Sequence, residues 1–384
     1  MRLEPSDPRF RALVYQAAAL GATLALGWFL VSNTLENLAE RNIASGFAFL
    51  MREAGFAIGE TTFFSYTPAD TYLKALAVGL ANTLRVAIVG IVAATVLGTL
   101  IGLARLSRNW LLARLAAGYI EFIRNVPLLV HLFFLYAVIT EYLPAPRAAL
   151  EPLPGFYLYN RGIFLPAPAP HPAYTWILLA LIAGIVAAWG FARWAARRRA
   201  TTGRRLPALE IGLALALVPP ALAYLAAGVP FELDVPRLSG FNFSGGASIT
   251  PEFAALAGGL ILYTAAFIAE IVRAGILAIP YGQFEAAYAL GLRRRLALRL
   301  VVLPQALRAM VPPLTNQYLN LTKNSSLAVA IGYPDIVSIA NTAINQTGQA
   351  IEGIAIIMLV YLAISLSISA LMNWYNARVA LKER

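Results

Sequence analysis

Eight stretches of this chain are apolar for long enough to cross a lipid bilayer, and they limit its folds more than any other feature. They fall at about 12–32, 77–104, 118–141, 174–193, 207–227, 254–279, 306–322 and 351–375. About 20 residues of helix, at 1.5 Å each, cover the roughly 30 Å of hydrocarbon. The chain is therefore read as an all-α polytopic membrane protein of about eight transmembrane helices. The seventh stretch is the shortest and ends in polar residues. The first is long and is followed by no A-x-A cleavage signal, so it is read as a retained span.

Composition agrees: 13% of residues are charged, against about 25% in soluble domains. There is no cysteine, which excludes disulfides, thiolate metal sites and cysteine nucleophiles. Only His131 and His171 are present, far apart, so no metal is expected. The formal charge of +11 invites a nucleic-acid partner, but its distribution argues against one. With a cytoplasmic N-terminus, one set of connections (1–11, 105–117, 194–206, 280–305, 376–384), with Arg193 and Arg308 at adjoining helix ends, carries twenty of the thirty Lys and Arg. The opposite set (33–76, 142–173, 228–253, 323–350) carries seven, and Arg85, Arg124 and Arg273 lie inside spans. This bias places the first set, and both termini, in the cytoplasm. "ARWAARRRATTGRR", residues 192–205, contributes most and reads as an orientation anchor.

The chain divides into an N-terminal span and outer segment (1–76), two spans (77–141), a loop with an inserted two-helix hairpin (142–253) and the remaining spans (254–384). The outer loops are rich in Pro, Gly and aromatics. They are too short for a binding domain and suit a small cap.

The segment 280–305 is too basic to be a span and too rich in small residues to be an ordinary loop. Pro280 and Gly282 turn the chain, and a short helix is expected from Gln283 to Leu290, with Glu285 in its first turn. Gly291 stops it. A second helix, Arg293–Val302, is expected to follow, and Pro304 to open the next span. Ala286, Ala287 and Leu290 are spaced to share one narrow apolar face. That face suits either a groove on another protein or the membrane interface.

"EAAYALGLRRRLALRLVVLPQA", residues 285–306, resembles the EAA signature of ATP-binding cassette import permeases, through Glu285, Ala286, Ala287, Gly291, Leu303 and Pro304. "EFIRNVPLLVHLFFLY" (121–136) and "AAFIAEIVRAGILAIPYGQFEAA" (265–287) resemble the polar amino-acid branch of that family. "TKNSSLAVAIGYPDI" (322–336) and "NQTGQAIEG" (345–353) resemble the larger membrane subunit of general L-amino-acid importers. The resemblance implies a five-helix type I importer core, to which the first span and the hairpin are additions. It also implies a cytoplasmic ATPase dimer that receives the coupling residues Gln283, Glu285, Ala286, Ala287, Leu290, Gly291, Arg293 and Pro304. Further implied partners are a second permease subunit, either a second copy of this chain or, preferably, a paralogue, and a periplasmic amino-acid-binding protein. The chain has no G-x-x-x-x-G-K-[ST], and none of its lysines (Lys74, Lys323, Lys382) follows a glycine. ATP and Mg are therefore expected on the partner, and no cofactor on this chain.

Ionisable residues inside spans are costly and are functional candidates by default. Glu121 with Arg124 and Glu270 with Arg273 are i, i+3 pairs. Each could brace helices, or Glu270 could attract a substrate ammonium. His131 could bond a neighbouring helix or line the path, and at its place the related motif usually has Gln. Asn316, Asn320, Lys323 and Asn324 share one face, suited to pore lining or bundle packing. Ser325, Ser326 and Arg85 complete the path candidates, with Lys323 and Arg85 suited to a carboxylate. Glycines 98 and 102 form a G-x-x-x-G read as close helix packing. The alternative functions are an ion-gradient-driven amino-acid transporter, which would leave the EAA segment without a role, and a membrane enzyme, for which no catalytic constellation exists.

Overall fold

A computed structural model describes residues 8–40, 45–61, 63–203, 206–228 and 232–379. Arg2, Arg41, Arg204, Arg205, Lys382 and Arg384, counted in the charge reading, lie outside them. The helices and strands in chain order are α1 (Pro8–Glu40), α2 (Tyr72–Arg105), α3 (Trp110–Asn125), α4 (Leu128–Ala137), β1 (Leu150–Leu153), β2 (Phe156–Tyr159), β3 (Gly162–Leu165), β4 (Ala167–Pro168), α5 (Ala173–Thr202) and α6 (Ala208–Ala226). There follow β5 (Leu233–Asp234), β6 (Arg237–Ser239), β7 (Asn242–Ser244), β8 (Ala247–Ile249), α7 (Pro251–Leu277), α8 (Tyr281–Ala289), α9 (Arg294–Ala297), α10 (Leu303–Asn324), α11 (Ile336–Thr347) and α12 (Ala350–Val379). Seven helical stretches are long and apolar enough to cross a membrane, and α3 with α4 make an eighth if counted together.

Two details depart from the sequence reading. The third span, expected as one helix over 118–141, is bent by 102° between α3 and α4. Pro127 lacks an N–H and pushes Val126 into extended backbone, φ −104° and ψ 132°. The second helix of the 280–305 segment reaches Val302 and Pro304 stands in the first turn of α10, as expected, but no break separates the two. The winding runs on from α9 through a π-turn, Leu298–Val302, into α10. A turn widened to i→i+5 bonding accommodates the proline ring directly after it.

The described chain forms two compact units. Residues 137–251 hold the hairpin and the short strands, which the sequence reading did not contain. Helices α5 and α6 meet at Gly184, where a Cβ would lie 2.4 Å from the Leu215 carbonyl oxygen. The strands form a four-stranded sheet, β1-β2-β3-β8, and two two-stranded ones, β4-β5 and β6-β7, all antiparallel, and β7 packs against the first. Its small core is aromatic: Tyr157 stacks on Phe243 at 4.3 Å, and the Tyr159 hydroxyl donates to Asn242 Oδ1 at 2.6 Å.

The other unit, residues 1–136 and 252–384, is the helical core. Helix α2 is capped by Thr71, which accepts from Lys74 N–H. It packs on α7 through the predicted glycine pair. A Cβ on Gly98 would stand 2.7 Å from the Ala265 oxygen, and one on Gly102 2.6 Å from the Ala269 oxygen. At one end of this unit Phe49, Ala54, Tyr72, Ile336, Ile339 and Ala340 form a common cluster. It seats α11 and the segment before α2 on the start of α2. Helix α1 exposes Leu20, Leu24 and Trp28, as a lipid-facing span does.

Candidate functional site

At the far end of α7 the chain turns at Pro280 into α8. A Schellman closure ends α8: Gly291 N–H donates to the Tyr288 oxygen at 2.9 Å and Leu292 N–H to the Ala287 oxygen at 3.1 Å. Gly291 takes φ +75°, the left-handed backbone a glycine tolerates. The three residues expected on one face divide. Ala287 is 2% exposed and turned into the chain, while Ala286 is exposed and Leu290 is 81% exposed. Glu285 and Arg293 are also exposed, and Gln305 donates to Gln283 at 3.1 Å, tying α8 to α10. Pro304 is half-buried inside the continuous winding. The segment thus presents Gln283, Glu285, Ala286, Leu290 and Arg293 outward, from a rod fixed at both ends.

At its base, Glu270 on α7 accepts from Arg105 on α2 at 3.0 Å and from Arg273 Nε at 3.0 Å. One carboxylate joins α2 and α7. The other expected pair is absent. Among the described residues Glu121 and Arg124 form no ion pair. Arg124 lies instead over the Phe267 ring at 5.0 Å. Spacing at i, i+3 permits a pair, but the aromatic face of α7 competes for the guanidinium.

The opposite end of the same helices holds a second polar knot. Arg85 on α2 is ion-paired with Glu60 and lies over the Phe253 ring at 4.0 Å. Asn82 Nδ2 donates to the Glu60 oxygen at 3.0 Å and the Pro334 oxygen at 2.9 Å. Thr83 Oγ1 accepts from Ile336 N–H at 3.1 Å. Buried Asp335 caps α11 through Ser338 N–H at 2.8 Å, with the Tyr361 hydroxyl at 3.5 Å. Asp335 lies between spans, and its burial pushes the carboxyl up to about 7.

The path candidates separate. Asn316, Asn320 and Lys323 lie exposed on one face of α10, with Asn324 half-buried beside them. Ser326 donates to the Lys323 oxygen, and Ser325 is fully buried, donating to the Thr322 oxygen at 2.7 Å. His131 is 8% exposed and packs edge-on against Tyr263, with centroids 6.0 Å apart. Its Nδ1 faces the Pro127 oxygen at 3.2 Å. Arg85 and Glu270 are engaged in the two knots.

The family described as "Binding-protein-dependent transport system inner membrane component" matches residues 177–381, just over half of the chain. The chain belongs to this family. Relatives extend over nearly the whole length. The general L-amino acid transport system permease protein AapQ of Rhizobium johnstonii is 47% identical over 98% of this chain and 94% of its own. The putative amino-acid ABC transporter permease protein YhdX of Escherichia coli is 49% identical over 99% and 96%. The glutamate/glutamine/aspartate/asparagine transport system permease protein BztB of Rhodobacter capsulatus is 43% identical over 98% and 96%.

For an inner-membrane transport component of this family, the sequence reading missed Glu60, Asn82, Thr83 and Asp335. One signal was available. An arginine inside a span needs a counter-charge, and Glu53, Glu60 and Asp70 precede Arg85 within 32 residues. Sequence alone does not choose among the three.

Proposed function

We propose that this chain is the permease subunit of an importer of L-amino acids, driven by ATP hydrolysed on a separate cytoplasmic ATPase dimer. Relatives along the full length are named for amino-acid transport, which supports the substrate class and favours broad specificity. The observation that carries the coupling is the exposed rod α8. It is nine residues long, too short to cross a membrane, and it turns Glu285, Ala286 and Leu290 away from its own chain. ATP and Mg belong to the ATPase, and this chain holds no cofactor. The basic ends and both termini face the cytoplasm of the inner membrane, where the ATPase meets α8.

Closure of that dimer moves α8 as a rigid piece, because Gln283–Gln305 and the Schellman closure fix it to α10 and to its own last turn. Helix α7 follows, and α2 with it, through Glu270 and the glycine contacts. The amino acid passes along Asn316, Asn320 and Lys323, where Lys323 meets the α-carboxylate. A polar strip on a spanning helix needs water or protein opposite it. A second permease chain, a paralogue, supplies that wall, and a periplasmic amino-acid-binding protein delivers the substrate. An ion-gradient transporter is less well supported, because Glu270 and Arg85 are already paired.

The test uses the complete complex in proteoliposomes. Loaded binding protein is expected to stimulate ATP hydrolysis and uptake in the wild type. Gly291→Pro cannot adopt φ +75°, and Glu285→Lys reverses an exposed charge. Each is expected to reduce uptake at least about tenfold, a coupling loss of roughly 1.4 kcal/mol or more, with unchanged membrane level. Normal uptake in both variants overturns the coupling role of α8.

A further inference from the structure

Four of the six tryptophans, Trp110, Trp189, Trp194 and Trp374, are followed four residues later by arginine. In three cases the guanidinium stacks on the indole: Arg193 over Trp189 at 3.7 Å, Arg198 over Trp194 at 5.1 Å and Arg378 over Trp374 at 4.2 Å. Two of the three stand in the last four turns of α5. That helix has 30 residues, about 45 Å at 1.5 Å each. The hydrocarbon takes about 30 Å, so a span entered near Ala173 leaves it near Arg193. Trp194 then stands at headgroup depth and Trp189 about one turn inside it, both in the interfacial zone where amphipathic indoles concentrate.

The arrangement around the helix is one-sided. At 100° per residue, Trp189, Arg193, Arg197, Trp194 and Arg198 fall within half of the circumference. Gly184 and Ala195, the buried positions of α5 beyond its first residue, lie on the other side, where Gly184 meets α6. The basic and aromatic face is thus turned away from the hairpin partner. Helix α5 contains no acidic residue. Among the described residues none of Arg193, Arg197, Arg198 or Arg199 forms an ion pair. Stacking occupies a guanidinium's flat face and leaves its edge N–H donors directed outward, the geometry that grips a phosphate.

From this we infer that the C-terminal turns of α5 form a binding site for the phosphodiester headgroup of an anionic lipid, gripped by Arg193, Arg197 and Arg198 from a platform of Trp189 and Trp194. The site is independent of the path proposed above.

The site is tested by native mass spectrometry of the purified full-length chain, titrated with dioleoyl phosphatidylglycerol or dioleoyl phosphatidylcholine. Each arginine at an anionic surface contributes about fivefold in affinity. Phosphatidylglycerol is therefore expected to bind at least about tenfold more tightly than phosphatidylcholine. R193Q/R197Q/R198Q is expected to erase that preference, and R161Q/R237Q, arginines of the same unit, to keep it. R193K/R198K retains charge without the flat stacking surface and is expected to fall between. Equal binding of the two lipids, or an unchanged preference in the triple variant, overturns the site. So does displacement of phosphatidylglycerol by equimolar inorganic phosphate, which would mark a site for free phosphate.

Discussion

At the scale of single residues, Asp335 shows how burial sets a charge. Its carboxyl is fully buried at the start of α11, where Ser338 N–H and Tyr361 reach it. Burial outweighs these bonds and raises it from an ordinary 3.8 to about 7. A folded-state value above the unfolded one means that the folded protein holds the proton more tightly. The stabilisation is fully present below about pH 4 and is lost as pH rises through about 7. Melting temperature in detergent is expected to fall between pH 5 and pH 7.5, and Asp335→Asn, which keeps a capping oxygen, to flatten that slope. An equal slope in both proteins would show that Asp335 does not hold its proton. The sequence reading did not single out this aspartate, because the groups that hold it and its neighbours, Tyr361, Asn82 and Thr83, are remote in the chain. Arg85 was visible as a charge in a span, but the meaning changed once Glu60 was seen beside it. A charge that appeared available to substrate is held by its own chain.

At the scale of elements, the pairing of α2 with α7 organises the helical core. Glycines 98 and 102 bring the backbones together, ion-paired Arg105 ends α2, and ion-paired Arg85 sits in its first half. The G-x-x-x-G spacing made this contact legible, since small residues at i, i+4 have one common use in a span. Gly102→Ala tests it. Alanine gains about 1 kcal/mol of helix propensity over glycine. Its Cβ would stand 2.6 Å from the Ala269 oxygen, a backbone atom that moves only with its helix. Overpacking of this kind costs about 1–3 kcal/mol, so net destabilisation of up to about 2 kcal/mol is expected in denaturation assays. Gly90→Ala meets only the flexible Leu321 side chain, at 3.0 Å, and is expected to be neutral or stabilising. If the two variants melt alike, the backbone contact is not what limits the packing. Bends were less legible than contacts. Pro127 breaks its span, whereas Pro312 and Pro313 sit inside α10 and Pro219 and Pro220 inside α6. A proline removes one hydrogen bond in every case, and neighbouring helices decide whether the chain bends.

At the scale of the whole molecule, apolar length located the spans to within a few residues at most ends, because the hydrocarbon imposes a fixed minimum on every crossing helix. The strands of residues 137–251 were not legible. They are two to four residues long, too short for alternation to register. Orientation is the property on which the coupling reading depends, and it was argued from charge alone. The absence of cysteine makes it directly measurable. A single Leu290→Cys and a single Phe241→Cys introduce unique thiols at positions 81% and 76% exposed. Between them lies one long spanning helix, α7, so the two positions must fall on opposite sides of the membrane. Positive-inside bias places Leu290 in the cytoplasm. A membrane-impermeant maleimide is therefore expected to label Phe241→Cys in intact spheroplasts and Leu290→Cys only in inverted vesicles. Labelling of Leu290→Cys from outside would put α8 beyond the reach of any cytoplasmic ATPase and end the coupling proposal. Labelling of both from one side would remove α7 from the set of spans, and with it the straight connection from the rod to the knot at Arg85.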